Sequence, residues 1–260
     1  LFGFDAVHGY NTVLPIPLAE AASWDLPAIE RSARVTATEA AASGINWTFA
    51  PMVDISRDAR WGRVMEGAGE DPYLGSQIAM ARVKGFQGND FRSPFNILAT
   101  AKHFAGYGFA EGGRDYNTVD VSALTLHNII LPPFKASVQQ GVASVMNSFN
   151  IINGVPATAN SYLVQDILKR DWKFKGVVVS DWGSGVEMID HGYAENLSQV
   201  AALSANAGSD VDMESYAYVN HLKNQVTKGN VSVTVIDQSV RRVLRLKFLL
   251  GLFNDPYKYC

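Results

Sequence analysis

The strongest constraint on this chain is the alternation of short apolar runs with longer amphipathic stretches. The runs at 2–7, 47–52, 97–103, 144–149, 177–181 and 210–213 have the length and side-chain character of buried strands. Between and after them, apolar residues recur at helical spacing over 28–42, 73–87, 124–140, 161–171, 197–207, 217–228 and 233–250. Ser232 is placed to cap the last helix, and Asp71-Pro72 to start the one at Tyr73. Strands that are apolar on both faces need helices on both sides of their sheet. A helix between successive strands makes them parallel, with right-handed crossovers. The expected class is α/β.

Two architectures fit that order, and the polar residues separate them. Nearly every expected strand ends in charged or polar side chains: Asp5 and His8; Asp54, Arg57 and Asp58; Lys102 and His103; Asn147; Asp181; Asp212 and Glu214. A barrel builds its site from many strand ends, whereas a doubly wound sheet concentrates it at one switch point. The pattern therefore favours a (β/α)8 TIM-like barrel. Six strands are visible in 260 residues, so the expectation is one partial barrel domain over 1–260, truncated upstream of Leu1.

Bulk properties exclude several classes of function. At 47% hydrophobic and 18% charged, the chain can bury one sizeable core. Its net charge of −3 is spread evenly, without the basic stripe that nucleic-acid phosphates require. No apolar run reaches the length of a membrane span. The one cysteine, Cys260, supports neither a disulfide framework nor a Cys/His metal cage, and nothing calls for a metal or cofactor.

Four segments carry chemistry. In Val177-Val178-Val179-Ser180-Asp181-Trp182, three β-branched residues drive a buried strand that ends in a carboxylate and an indole. Such a carboxylate can attack an anomeric carbon, and the indole can cover the apolar face of a sugar ring; capping the following helix is the alternative. Lys102-His103 can hold sugar hydroxyls, or can be a structural ion pair beside a core histidine. The densest charge cluster runs from Asp54 through Arg57, Asp58, Arg60 and Arg63 to Glu66. Around Trp61 it reads as an ion-pair lattice from which one arginine projects. Asp5, with His8-Gly9, could accept two sugar hydroxyls. The glycine-rich stretch 106–115 is long for a strand-to-helix connection, as functional loops often are.

Five motifs resemble glycoside hydrolase family 3 in sequence and in order, especially its bacterial periplasmic β-glucosidase branch. They are Gly3-Phe-Asp-Ala-Val-His-Gly9, Arg57-Asp-Ala-Arg-Trp-Gly-Arg63, Lys102-His-Phe-Ala-Gly-Tyr-Gly108, Glu111-Gly-Gly-Arg-Asp-Tyr-Asn117 and Ser180-Asp-Trp-Gly183. The resemblance implies a barrel followed by an α/β sandwich domain, and a retaining double displacement on β-D-glucosides. It implies Asp181 as nucleophile, with Asp5, Arg63, Lys102 and His103 gripping the non-reducing sugar and Trp182 as aromatic neighbour. It also implies a periplasmic or secreted setting. Phe149 stands where some members place a tyrosine, and it has no hydroxyl to donate.

A retaining mechanism needs a second carboxyl about 5–5.5 Å from the first. In two-domain relatives this is a glutamate of the following domain, so the expectation is that the partner lies outside this chain. Members that cleave N-acetylglucosaminides use a histidine in the loop after the Lys-His motif; Tyr107 stands there instead, and that subfamily is rejected. Glu111 and Asp115 are weak substitutes. A Schiff-base barrel using Lys102 leaves Asp181-Trp182 unexplained. A non-catalytic sugar-binding barrel and a β-xylosidase remain as alternatives.

Overall fold

In the computed structural model, residues 1–259 are described. Among these residues seven short strands form: β1 Gly3–Phe4, β2 Trp47–Thr48, β3 Thr100–Phe104, β4 Ser144–Asn147, β5 Ile151–Ile152, β6 Val155–Pro156 and β7 Val177–Val179. β1 pairs with β2, and β3 with β4 and then β7, all parallel. Single parallel bridges, Trp47 to Leu98, Met52 to Lys102 and Val179 to Val211, join these pieces into one array. Six parallel strand positions thus lie side by side in chain order, each separated from the next by helical chain. This is the strand order of a barrel. No closed barrel is present among the described residues.

Burial accounts for the strands. Val177, Val178 and Val179 are 0–1% exposed, as are Val145 and Ala101 beside them. Each buried valine contributes about 1.5–3 kcal/mol relative to an exposed one. Polar atoms within this layer are paired: the Trp47 indole N–H reaches both Thr100 Oγ1, at 2.9 Å, and Ser144 Oγ, at 2.8 Å. An indole can be buried deeply only where its N–H finds such an acceptor.

The helices follow their local signals. Helix Leu26–Ala42 is capped by Asp25, which accepts the Ala28 N–H at 2.9 Å, and buries Ile29, Ala33, Ala37 and Ala40 along one face. It packs so closely on helix Pro72–Gln87 that a Cβ at Gly85 would lie 2.5 Å from both Ala33 Cβ and the Glu30 carbonyl oxygen. The expected caps are found: Asp71 accepts the Leu74 N–H at 2.6 Å, and Ser232 the Val235 N–H at 3.3 Å, opening helix Val233–Leu249.

Two expectations change, and one element is new. The continuous helix expected over 124–140 is instead a turn Ala123–Thr125, a π-helical turn Leu126–Ile130 and a helix Pro132–Gln139. Pro132 and Pro133 lack the N–H groups that would continue the ladder. The strand expected at 210–213 is reduced to the bridge at Val211. A hairpin not foreseen, β5–β6, turns at Asn153-Gly154, where both residues have positive φ (49° and 85°). Asn-Gly between apolar pairs is the signature of that turn. Val119 bridges to Ile152, so the hairpin anchors the end of the glycine-rich loop.

Candidate active site

The strand ends meet on one side of the sheet, and Asp181 stands at their centre. β7 leads into it. Ser180 N–H donates to the Val211 carbonyl at 2.9 Å, and Gly183 N–H to that of Met213 at 2.9 Å, pinning the turn on both sides. Gly183, with φ 70°, allows the sharp reversal into helix Ser184–Asp190. That helix has no side-chain cap, so Asp181 does not serve as one. Its Oδ1 accepts the Trp182 N–H at 2.8 Å, while Oδ2 is buried without a hydrogen-bond partner. Burial pushes the Asp181 carboxyl up to about 6, against the Trp182 N–H and the charges of Lys102 and Arg63.

β3 contributes two groups. Lys102 is buried and its Nζ lies 2.5 Å from Asp5 Oδ1, so two expected site residues pair with each other. The Asp5 side chain remains 58% exposed and open to a ligand. His103 is 1% exposed. It bonds a carboxylate rather than a backbone carbonyl: its backbone N–H donates to Asp54 Oδ2 at 2.7 Å, and its ring Nδ1 lies 2.9 Å from the same oxygen. His103 Nε2 is 3.4 Å from Asp181 Oδ2. Burial, reinforced by the charges of Arg63 and Lys102, holds the His103 imidazole well below its usual range, which favours the neutral ring.

The charge cluster is an ion-pair loop, as its sequence suggested. Arg60 forks onto Asp58, with Nη2 at 2.6 Å, and Arg63 onto Glu66, at 2.6 and 2.9 Å. Arg63 is the arginine that projects, its Cζ 5.5 Å from the centre of the Tyr107 ring. Tyr107 packs edge-on against His103 and Trp61, at 5.1 and 5.2 Å between ring centres. A Cβ at Gly108 would lie 2.2 Å from the Ile55 carbonyl oxygen, so glycine is needed where the two loops touch. The Trp61 indole N–H donates to Asp115 at 2.9 Å, tying down the far end of the glycine-rich loop. Trp182 is 66% exposed beside Asp181 and offers its ring to solvent.

All six expected site residues, Asp5, Arg63, Lys102, His103, Asp181 and Trp182, therefore belong to one region. Two further residues belong with them. Asp54, fully buried behind His103, reads in the sequence only as one of many strand-end acids. Glu187 lies on the helix that leaves Asp181; burial pushes its carboxyl up to about 7, helped by the charges of Asp181, Asp190 and Asp115. Its position six residues after Asp181 was a signal that could have been used. Among the described residues, no group of three or more His, Cys, Asp or Glu is arranged to hold a metal ion.

A parallel α/β fold in barrel order, with its polar groups at the strand ends, places the chain in the class of TIM-barrel-like proteins. The family model of the glycosyl hydrolase family 3 N terminal domain matches residues 1–246, and the chain belongs to that family. A periplasmic β-glucosidase of Salmonella typhimurium is 44% identical over 258 residues, covering 99% of this chain and 34% of the relative. A putative β-xylosidase of Formosa agariphila is 39% identical, covering 93% and 32%. Among solved structures, β-glucosidase from Listeria innocua in complex with glucose is 44% identical, with TM-score 0.98 over 99% of this chain and 36% of that one. A mutant of the same enzyme in complex with laminaribiose superposes equally well, with TM-score 0.98. The chain thus spans about a third of the length of these relatives. They are glycoside hydrolases. No helix among the described residues is long and apolar enough to cross a membrane.

Proposed function

We propose that this chain is the barrel part of a retaining β-glycosidase acting on terminal β-D-glucosyl residues, with Asp181 as the nucleophile. The observation that carries the reading is Asp181 Oδ2: a buried carboxylate oxygen without a partner, at the mouth of a strand array, beside cationic and aromatic groups. A sugar seated there would find donors in Lys102 and Arg63, an acceptor in Asp5, and an apolar wall in Trp182. Attack by Oδ2 on the anomeric carbon forms a glycosyl ester as the aglycone leaves with the bonding electrons; water then cleaves the ester. The aglycone oxygen must gain a proton unless it is a stable anion. Glu111 and Asp115 are exposed, and Asp115 already accepts the Trp61 N–H, so neither is assigned that task.

The relatives support the substrate class, since a solved neighbour is described with glucose and with laminaribiose. β-Xylosidases among the relatives, at 37–39% identity, keep β-xylosides as a second reading. A dinitrophenyl β-glucoside has a leaving group that needs no acid, and its hydrolysis can be followed by proton NMR. Release of the β-anomer first, with the glucoside preferred over the xyloside, is the expected result. The α-anomer appearing first would contradict a double displacement, and a strong preference for the xyloside would reassign the sugar.

A further inference from the structure

Asp54 is itself buried out of reach of a sugar. Its side chain and that of His103 are each 1% exposed. Asp54 Oδ2 takes the His103 backbone N–H at 2.7 Å and faces ring Nδ1 at 2.9 Å, while Oδ1 has no partner. Across the ring, His103 Nε2 and Asp181 Oδ2 stand 3.4 Å apart, and neither makes a hydrogen bond. A neutral imidazole carries one N–H, and the partner of one nitrogen decides which nitrogen holds it. Asp54 Oδ2 already accepts the backbone N–H, so any proton on this carboxyl sits on Oδ1, and Oδ2, at contact distance from Nδ1, draws the imidazole proton there in either state. Nε2 is then bare, and its lone pair faces Asp181.

We propose that Asp54 is a positioning residue that fixes His103 as the Nδ1–H tautomer, which withholds a hydrogen-bond donor from Asp181 Oδ2 and leaves Nε2 as an acceptor for a sugar hydroxyl. This rests on the reading of Asp181 as nucleophile. The physical gain is differential. A donor on Oδ2 would stabilise the free carboxylate more than the transition state, where its negative charge is passing into the new ester bond. Other charges also act on this pair. Lys102, paired with Asp5, faces it from β3, and Arg63, forked on Glu66, from the charged loop; both oppose an imidazolium. Glu187 approaches from the helix after β7. Tyr107, Asp115 and Tyr116 approach from the glycine-rich loop. Burial pushes the Asp54 carboxyl up to about 7 in spite of Arg63 and Lys102, with the charge of Glu66 adding to the rise.

Two readouts test this. Nitrogen-15 spectra of the histidine-labelled chain show which ring nitrogen of each of the five histidines carries a proton, with His103→Gln identifying the signal. The wild type should show His103 as neutral Nδ1–H between about pH 5 and 8, where an ordinary histidine titrates. Asp54→Leu, which keeps the shape and removes the acceptor, should move the proton to Nε2, where Asp181 Oδ2 can accept it. The second readout is the rate at which a 2-deoxy-2-fluoro β-glucoside labels Asp181. In Asp54→Leu it should fall on the order of 10- to 100-fold. The acidic limb of its pH profile should move down, because Nε2–H now stabilises the Asp181 carboxylate. An Nε2–H tautomer in the wild type overturns the proposal, and this holds even if the variant does not fold. So does a variant that keeps Nδ1–H with an unmoved limb. A wild type with Nδ1–H but no label on Asp181 contradicts the nucleophile reading itself, and with it the purpose assigned to Asp54.

Discussion

Two buried aspartates flank the last strands, and they are built in opposite ways. Asp210, at the start of the final strand position, has its side chain 0% exposed and is saturated. It accepts the Val178 N–H at 2.9 Å, Ser239 Oγ–H at 2.8 Å, Arg242 Nη1 at 3.1 Å and Lys169 Nζ at 3.3 Å. It joins β7 to helix Val233–Leu249 and to the π-helical segment Tyr162–Asp171. Asp181, at the end of the neighbouring β7, has one oxygen satisfied and the other bare. A buried carboxylate whose lone pairs are all taken holds structure together. One kept short of donors is destabilised in its charged form and is available for chemistry.

The largest expected effect breaks the Asp181 side of this contrast. Asp181→Asn should lower turnover of a dinitrophenyl β-glucoside on the order of 10⁴-fold, as removal of a nucleophile does. A loss of only a few fold would place the nucleophile elsewhere. Next comes Asp210→Ala, which strands Lys169 and Arg242 in a buried setting. Breaking such a network by removing one partner costs about 3–5 kcal/mol. Thermal unfolding should show Tm lowered by roughly 10 °C. A Tm within two degrees of wild type, by the same scale, would mean the staple is dispensable.

The third effect has the opposite sign, and pH reveals it. The Asp181 carboxyl sits at about 6 in the folded chain, against 3.8 for an ordinary aspartate. Because the folded value is the higher one, stability is fully present below about pH 4 and declines as pH rises toward about 6. The ionised form therefore costs roughly 3 kcal/mol at neutral pH, from the shift per unit. Asp181→Asn should raise Tm at neutral pH and leave it nearly unchanged at about pH 4; equal Tm at both would mean that Oδ2 is better solvated than its burial indicates. The smallest effect concerns the rim: Trp182→Ala, at an exposed position, should raise KM about 10-fold while changing kcat little. A collapse of kcat instead would mean that the indole holds Asp181 in place.

Much of the site was legible because its signals are local. A triple valine ending in Asp-Trp, Lys-His at the end of an alanine-rich strand, and arginines gathered around Trp61 each lie within a few consecutive residues, and the fold brings them together. The caps at Asp71 and Ser232 were legible for the same reason. What escaped depends on pairing across the chain. Asp54 lies 49 residues from His103, and nothing near it marks it as different from Asp58, which only holds Arg60 at the surface. Asp210 read as the start of a strand, whereas its partners Lys169, Ser239 and Arg242 come from two separate helical segments. The expected helix over 124–140 overlooked its own Pro-Pro pair, and the hairpin its Asn-Gly turn. Those two were readable and were missed.

Under the proposed mechanism Asp181, and no other carboxylate of this chain, attacks the sugar. Incubation with a 2-deoxy-2-fluoro β-glucoside carrying an activated aglycone should trap the ester, because the fluorine slows its hydrolysis more than its formation. Mass spectrometry of the digested protein should then find one fluoroglucosyl group on the peptide carrying Ser180-Asp181-Trp182, absent from Asp181→Asn. A label on a peptide carrying Asp5, Asp54 or Glu187, or one that persists in Asp181→Asn, would contradict the account.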